Sequence, residues 1–235
     1  MQASLTLSAP RQEIMTTIGL IGSGNIGSTL ARLAVDAGHD VVLSNSRGPE
    51  TLQDLVTRLG PRARAATAAE AAAAGDLVVV TIPVRAYRQV PAEPLRGKVV
   101  IDTLNYDPAR QGSVPEIDAE ATPAHLLLQA HLTGSRVVKA FSNIFFKHLA
   151  TLGRPAGASD RSALPLAGDD PGARKAVAAL IDSLGYDAYD VGPLVESRRF
   201  APGTPAQLAY LDPEGMFAAP GRPASADDLA RLLAA

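Results

Sequence analysis

Short apolar runs alternate along the chain with segments whose apolar residues recur at helical spacing. The runs within residues 76–82, 98–102 and 137–141 are almost continuously apolar, which is typical of strands buried on both faces of a sheet. The segments between such runs have the period of amphipathic helices. This alternation predicts an α/β fold, a Rossmann-type, doubly wound and mostly parallel sheet with a small C-terminal α/β extension.

Turn and capping residues mark where the predicted elements begin and end. The helix after the first strand has Gly38 just past its end. Pro49 begins the next helix and Gly60 ends it, and Thr67-x-x-Glu70 forms a capping box for a third. Strands are also predicted within 61–66 and over 163–167 and 186–191, and helices over 171–184 and 225–234.

A glycine-rich turn follows the first predicted strand directly. It has the G-x-G-x-x-G spacing of a dinucleotide-binding turn. Gly22 allows a tight turn, Gly24 lets the backbone approach a pyrophosphate, and Gly27 lets the helix lie close to the strand. Because helix N-termini bind anions, we predict that a dinucleotide pyrophosphate binds at Gly22, Ser23, Gly24, Asn25, Ile26 and Gly27. The alternative is a glycine turn in some other α/β fold.

Polar residues without a carboxylate follow the second predicted strand, residues 40–43. NAD enzymes usually have an acidic residue here, which holds the ribose 2′-hydroxyl and would repel a 2′-phosphate. This chain has Ser44, Asn45, Ser46 and Arg47, which are groups that bind phosphate. The sequence therefore predicts NADP, with Asn45, Ser46 and Arg47 at its 2′-phosphate. The alternative is that Arg47 is a solvated loop residue.

Composition narrows the range of partners. The chain has 235 residues, a net charge of −2, no cysteine and no basic run, so we expect neither a nucleic-acid partner nor a disulfide. No apolar stretch approaches transmembrane length, and the first 13 residues lack the pattern of a secretory signal. We therefore expect a cytoplasmic enzyme that does not bind membranes.

The four histidines show no metal-ligand spacing, so no metal site is predicted. His148 is expected on the surface of a helix.

The chain divides into three predicted segments. Residues 1–15 are an N-terminal extension, and residues 16–142 form the NADP-binding Rossmann domain. Residues 143–235 form a small C-terminal region that is expected to complete the substrate pocket and contribute to a homodimer contact.

Seven motifs, in this order, resemble those of the NADPH-dependent coenzyme F-420 reductases, also called deazaflavin-dependent NADP oxidoreductases. The G-x-G-x-x-G turn is generic, whereas the Asp-x-Gly-Pro-Leu sequence is more specific to the family. The resemblance covers residues 16 to about 200. The motifs are Gly22-Ser-Gly-Asn-Ile-Gly27, Ser46-Arg47, Val80-Thr-Ile-Pro83, Gly97-Lys-Val-Val-Ile-Asp102, Val137-Val-Lys-Ala-Phe141, Ala167-Gly-Asp-Asp170 and Asp190-Val-Gly-Pro-Leu194.

The resemblance implies that NADP lies across the carboxyl edge of the sheet and that coenzyme F-420, a deazaflavin, is the second substrate. It places Thr81, Ile82 and Pro83 under the nicotinamide ribose. The acceptor side of the pocket is implied at positions 142–146 and Leu194, with Ser142, Asn143 and Leu194 as the pocket candidates. Archaeal members have histidine at the position of Ser142, and this chain departs from them there.

The roles of two further residues remain open. Asn105 either contacts the nicotinamide carboxamide or the second substrate, or it is a turn residue ahead of Asp107-Pro108. Lys139 lies at the end of an apolar strand, where a structural role and a pocket-lining role are both consistent with the sequence.

The reaction that the resemblance implies is direct hydride transfer between NADPH and the deazaflavin ring. The protein would hold two planar rings in contact, and it needs no general acid at carbon. One alternative is an NADPH-dependent reductase of another small-molecule acceptor, such as an imine, a quinone, a flavin or a ferric chelate. A second alternative is a non-catalytic NADP(H) redox sensor.

Overall fold

The computed structural model describes residues 15–212, 217 and 221–235. The predicted N-terminal extension, residues 1–15, lies outside this range except for Met15. One eight-stranded sheet has the order β3-β2-β1-β4-β5-β6-β7-β8. Its strands are β1 Thr17–Ile21, β2 Asp40–Ser44, β3 Ala63–Ala65, β4 Leu77–Val80, β5 Val99–Asp102, β6 Arg136–Ala140, β7 Ala163–Gly168 and β8 Asp187–Asp190.

Helices connect the strands and cover both faces of the sheet. The α-helices are α1 Asn25–Asp36, α2 Gln53–Leu59, α3 Ala68–Ala74, α4 Pro108–Gln111, α5 Pro115–Asp118, α6 Leu127–His131, α7 Phe146–Thr151, α8 Pro171–Ser183 and α9 Ala226–Ala234. Short 3-10 helices span Pro49–Leu52, Val84–Gln89, Glu93–Leu95, Ala124–Leu126, Leu194–Phe200 and Pro205–Leu208.

The predicted fold class is confirmed. Strands β1 to β6 are mutually parallel, and β7 and β8 are parallel to each other. The β6–β7 pair is antiparallel, with Lys139 opposite Ala167. The sheet therefore continues from β6 into β7 and β8, across the predicted boundary between residues 142 and 143.

Burial on both faces of the sheet explains the continuous apolar runs. Alternate residues of β1 and β4 enter two separate hydrophobic clusters. Ile18, Leu20 and Val79 belong to one cluster, and Val78 and Val80 belong to the other. Side chains alternate between the faces of a strand, so a strand covered on both sides needs apolar residues at every position.

Three predicted helix starts have the caps that their sequences indicate. The Thr67 hydroxyl accepts from the Glu70 amide, and the Glu70 carboxylate accepts from the Thr67 amide at 2.9 Å. Asp170 caps α8 by accepting from the Ala173 amide at 2.6 Å. Ser225 begins α9 with a second capping box. Because these bonds satisfy amides that lack partners within the helix, the caps fix where the helices begin.

His148 corrects one expectation from the sequence. It was predicted on a helix surface, but the side chain on α7 is fully buried. Helix α7 packs against α1, and the Gly221 backbone approaches the imidazole from the C-terminal segment. A Cβ atom on Gly221 would lie 2.7 Å from the His148 ring. The burial is produced by a segment remote in sequence, so the local pattern could not indicate it.

None of the helices in the described part of the chain has both the length and the apolar character needed to cross a membrane.

Candidate active site

The predicted site residues other than Leu194 lie after five parallel strands, at one edge of the sheet. Leu194 lies apart from them in the chain order, at the start of the 3-10 helix after β8. Strands β1, β2, β4, β5 and β6 are parallel, so the loops that follow them meet at their shared carboxyl edge. In open α/β sheets this edge is where ligands bind. The loops are 22–27 after β1, 45–48 after β2, 81–83 after β4, 103–105 after β5 and 141–143 after β6.

The three motif glycines have three different surroundings. Gly22 has a φ of +109°, and a Cβ there would lie 2.1 Å from the Thr81 carbonyl oxygen. A Cβ on Gly27 would lie 2.4 Å from the Gly22 carbonyl oxygen. Beside Gly24, in contrast, no heavy atom lies within 4 Å of the Cβ position. Two of the glycines therefore allow close packing within the protein, and the third leaves space on the outer side of the turn.

The N-terminus of α1 opens onto that space. Gly24 is its N-cap, with no side-chain cap and no acidic residue in the first turn. The first amides of a helix lack partners within it and carry partial positive charge. An uncapped 12-residue helix beside an unobstructed glycine leaves space for an anion next to the amides of Ser23, Gly24, Asn25 and Ile26, the residues predicted to bind a pyrophosphate.

The loop after β2 is shaped by Asn45. Its Oδ1 accepts from the Arg47 amide at 2.9 Å, and its Nδ2 donates to Thr51 Oγ1 at 2.8 Å. Ser46 and Arg47 are exposed, and the Arg47 guanidinium forms no ion pair with any described residue. The Asn45 amide therefore holds the loop, while the Ser46 hydroxyl and the Arg47 guanidinium remain available to an anion.

Glu50 was not considered in the sequence prediction. Its carboxylate folds back toward Gly48, where a Cβ would lie 2.3 Å from Glu50 Oε1. An acidic group is thus close to the loop after β2, although it lies beyond the strand end where NAD enzymes usually place one. The charge that this loop presents to a cofactor is therefore set by Arg47 and Glu50 together.

The loops after β4, β5 and β6 are tied to one another. The Thr103 hydroxyl donates to the Val80 carbonyl at 3.0 Å. The Asn105 amide donates from Nδ2 to the Ser142 carbonyl. Asn105 therefore joins the β5 and β6 loops beside the predicted nicotinamide position.

A buried ion pair joins the ends of β5 and β6, just before their loops begin. Lys139 Nζ lies 3.2 Å from Asp102 Oδ1, and the two side chains are 4% and 2% exposed. The carboxylate accepts from the Leu104 amide at 2.7 Å, and the ammonium donates to the Leu104 carbonyl. Of the two roles that the sequence left open for Lys139, these contacts favour the structural one.

The acceptor-side candidates are all buried. Ser142 is 6% exposed, Asn143 is 3% exposed and Leu194 is 2% exposed. Asn143 donates from Nδ2 to the Ala206 carbonyl at 3.2 Å, which links the β6 loop to the C-terminal segment. The Leu194 amide donates to Asp169 Oδ1 at 2.9 Å, and its side chain joins the hydrophobic cluster of Val80.

His125 is a residue of this region that sequence reasoning missed. It lies on the 3-10 helix 124–126, in a sequence without a recognisable motif. Burial lowers the pKa of its imidazole, and the charges of Lys139 and Arg198 lower that pKa further, with Asp102 opposing them. The ring is therefore neutral at neutral pH.

The described residues hold no group of three or more acidic or histidine side chains placed to bind a metal ion.

Comparison with known proteins agrees with this arrangement. Residues 17–106 match a family model described as "NADP oxidoreductase coenzyme F420-dependent". The match confirms the predicted resemblance and the predicted class of enzyme, an NADP-dependent oxidoreductase. The matched segment contains the glycine turn, the Arg47 loop and Asn105. A comparison with curated proteins finds no match.

Solved structures extend the similarity beyond residue 106. A hypothetical protein from Sinorhizobium meliloti is 28% identical, with a TM-score of 0.69 over 82% of this chain and 92% of its own. A protein from Arthrobacter sp. FB24, provisionally assigned as an F420-dependent NADP-reductase, is 26% identical, with a TM-score of 0.65 over 78% of this chain and 87% of its own. An imine reductase from Pseudomonas sp. is 19% identical, with a TM-score of 0.53 over 76% of this chain and 56% of its own, and this likeness concerns the fold alone.

The different surroundings of Gly24 and Gly27 lead to a matched pair of predictions. Gly24→Val places a side chain in open space, and because valine is a poorer N-cap than glycine it should lower the free energy of unfolding by about 1 kcal/mol. NADPH binding should be lost, because the side chain fills the space that the pyrophosphate needs. Gly27→Val should destabilise the protein by roughly 1–3 kcal/mol or more. Chemical denaturation and NADPH titration test both variants, and normal NADPH affinity in Gly24→Val would show that the turn is not the phosphate site.

The Asp102–Lys139 pair leads to a prediction about stability. Lys139→Met leaves a buried carboxylate without its cation, which should cost roughly 3–5 kcal/mol. Adding Asp102→Asn removes the unpaired charge and should restore part of that loss. Denaturation of the wild type, both single variants and the double variant measures the coupling. Additive effects of the two substitutions would mean that the pair does not interact as the distance indicates.

Proposed function

We propose that the protein transfers hydride between NADPH and a deazaflavin, coenzyme F-420. The observation that carries this proposal is the glycine turn, whose open side at Gly24 faces outward at an uncapped helix N-terminus. The family match over residues 17–106 and the 26% identity to the Arthrobacter protein support the choice of acceptor. Small-molecule redox chemistry of this kind needs no metal ligand and no nucleophilic side chain.

Each of the first three loops would bind a different part of NADP. Ser23 to Ile26 would hold the pyrophosphate through backbone amides. Ser46 and Arg47 would hold the 2′-phosphate through charge-assisted hydrogen bonds, and Asn45 would keep the loop in shape. Thr81 to Pro83 would pass under the nicotinamide ribose. NADPH supplies the hydride when it is bound, and the protein's role is to orient it.

The acceptor would lie against the loops after β5 and β6. Asn105 joins these two loops through its hydrogen bond to the Ser142 carbonyl. The Asp102–Lys139 ion pair joins the ends of the two strands from which the loops start. Ser142 and Leu194 would face the acceptor, and Asn143 would hold the loop against the C-terminal segment. Such preorganisation keeps two planar rings in contact, which is what hydride transfer between carbon atoms requires. The proton that follows to the acceptor nitrogen can come from water.

The direct test is NADPH oxidation with purified protein. We expect oxidation to accelerate when coenzyme F-420 is added, and to be slower with free flavin or a ferric chelate at equal concentration. The Gly24→Val variant serves as the control for oxidation that does not use the proposed site. NADPH binding without turnover of any of these acceptors would contradict the proposal and favour the redox sensor.

Cofactor preference leads to a further prediction. Arg47→Ala should weaken NADPH binding by about one to two orders of magnitude, which corresponds to roughly 1.5–3 kcal/mol for a lost charged hydrogen bond. NADH binding should hardly change, because NADH lacks the 2′-phosphate. Glu50→Gln is the control: it removes a nearby charge and should not weaken NADPH binding. Titration of each variant with both cofactors measures this, and equal losses for NADPH and NADH would assign Arg47 a structural role.

A further inference from the structure

Buried polar atoms without a hydrogen-bond partner gather on the acceptor side of the site. Within the described part of the chain they include Ser142 Oγ, Ser197 Oγ and His125 Nε2. Ser142 and Ser197 are 6% and 1% exposed. Such an atom has lost its bonds to water without a replacement, which is costly and uncommon in native proteins. Three of them in neighbouring segments indicate a partner that is not part of the chain.

The three side chains belong to segments that contact one another. The 3-10 helix Leu194–Phe200 carries Ser197, and it packs against β6 and against the 3-10 helix Ala124–Leu126. Ser142 lies two residues beyond the end of β6. His125 lies on the segment that leads from β5 into α6, and its 3-10 helix contacts the 3-10 helix that carries Ser197. The segments that carry the unpartnered atoms therefore meet beside the region proposed for the acceptor.

Another histidine shows the contrast. His131 Nε2 lies 2.8 Å from the Val90 carbonyl oxygen, and its ring packs edge-on against Tyr87. A histidine held only for packing can thus find a partner within this fold. His125 has not done so at Nε2, although the atom is shielded from solvent.

We propose that His125, together with Ser142 and Ser197, binds the polar edge of the hydride acceptor, a ring edge that carries carbonyl and N–H groups. A neutral imidazole nitrogen can donate or accept one hydrogen bond, and a hydroxyl can do either. This set matches the pyrimidine-dione edge of a deazaflavin or a flavin. A quinone has carbonyl acceptors but no ring N–H group, so it would pair with these side chains acting as donors alone. The inference rests on the proposed function, because it concerns the same pocket.

The test measures binding of the acceptor rather than turnover. Protein saturated with NADP⁺ is titrated with coenzyme F-420 and, separately, with riboflavin. His125→Leu removes the hydrogen bond at similar volume, and it should raise the acceptor Kd about tenfold or more. His125→Gln, which keeps a hydrogen-bonding group, should raise it less. His131→Leu is the matched control and should leave this Kd unchanged, and the Kd for NADP⁺ should change in none of the variants.

Ser142→Ala is a second variant for the same binding measurement, and it tests the proposal even if His125→Leu fails to fold. It removes only an unpartnered hydroxyl, so the fold should persist while the acceptor Kd rises about threefold or more. An unchanged Kd in the folded variants would overturn the inference, and so would an equal rise in His131→Leu. If the wild type binds riboflavin but not coenzyme F-420, the proposed function fails and the riboflavin series still decides the role of His125. If it binds neither, both proposals fail.

Discussion

The close approach of the first βα turn to the end of β4 is the constraint on which the site depends. The Cβ positions of Gly22 and Gly27 are occupied by the Thr81 and Gly22 carbonyl oxygens, at 2.1 and 2.4 Å. A side chain at Gly22 would push the turn away from the loop after β4, and a side chain at Gly27 would push α1 away from the turn. With both glycines in place, the N-terminus of α1 is held at the carboxyl edge, and Gly24 is the position where the turn faces outward. The geometry of the proposed phosphate site thus follows from packing inside the protein.

A second set of contacts makes the acceptor side rigid in a different way. Here the loops are held by charge and hydrogen bonding, with Asp102 and Lys139 both bonded to the backbone of Leu104 and with Asn105 bonded to Ser142. A buried ion pair adds little net stability, and removing one partner is costly. Its effect here is positional, because it fixes the β5 loop relative to β6. The two halves of the proposed site are therefore held by unlike means, close backbone packing around the glycine turn and a polar network on the acceptor side.

Features set by local sequence could be predicted. The glycine turn, the strand runs and the Thr67 capping box depend on residues within a few positions of one another, and the structure has each of them. Features set by contacts remote in sequence could not be predicted. His148 is buried by Gly221, and Lys139 meets Asp102 only because β5 and β6 are neighbours in register. The antiparallel β6–β7 pair likewise has no signal in a run of apolar residues, and His125 enters the site through a short helix without a motif.

We propose that the carboxyl edge binds NADP through the glycine turn and the Arg47 loop, and a crystal structure of the protein with NADP⁺ would show this binding mode. We expect the pyrophosphate within hydrogen-bonding distance of the amides of residues 24–26, the 2′-phosphate beside Arg47, and the nicotinamide next to the β5 and β6 loops. A pyrophosphate bound elsewhere on the protein, or a 2′-phosphate pointing away from Arg47 into solvent, would contradict it.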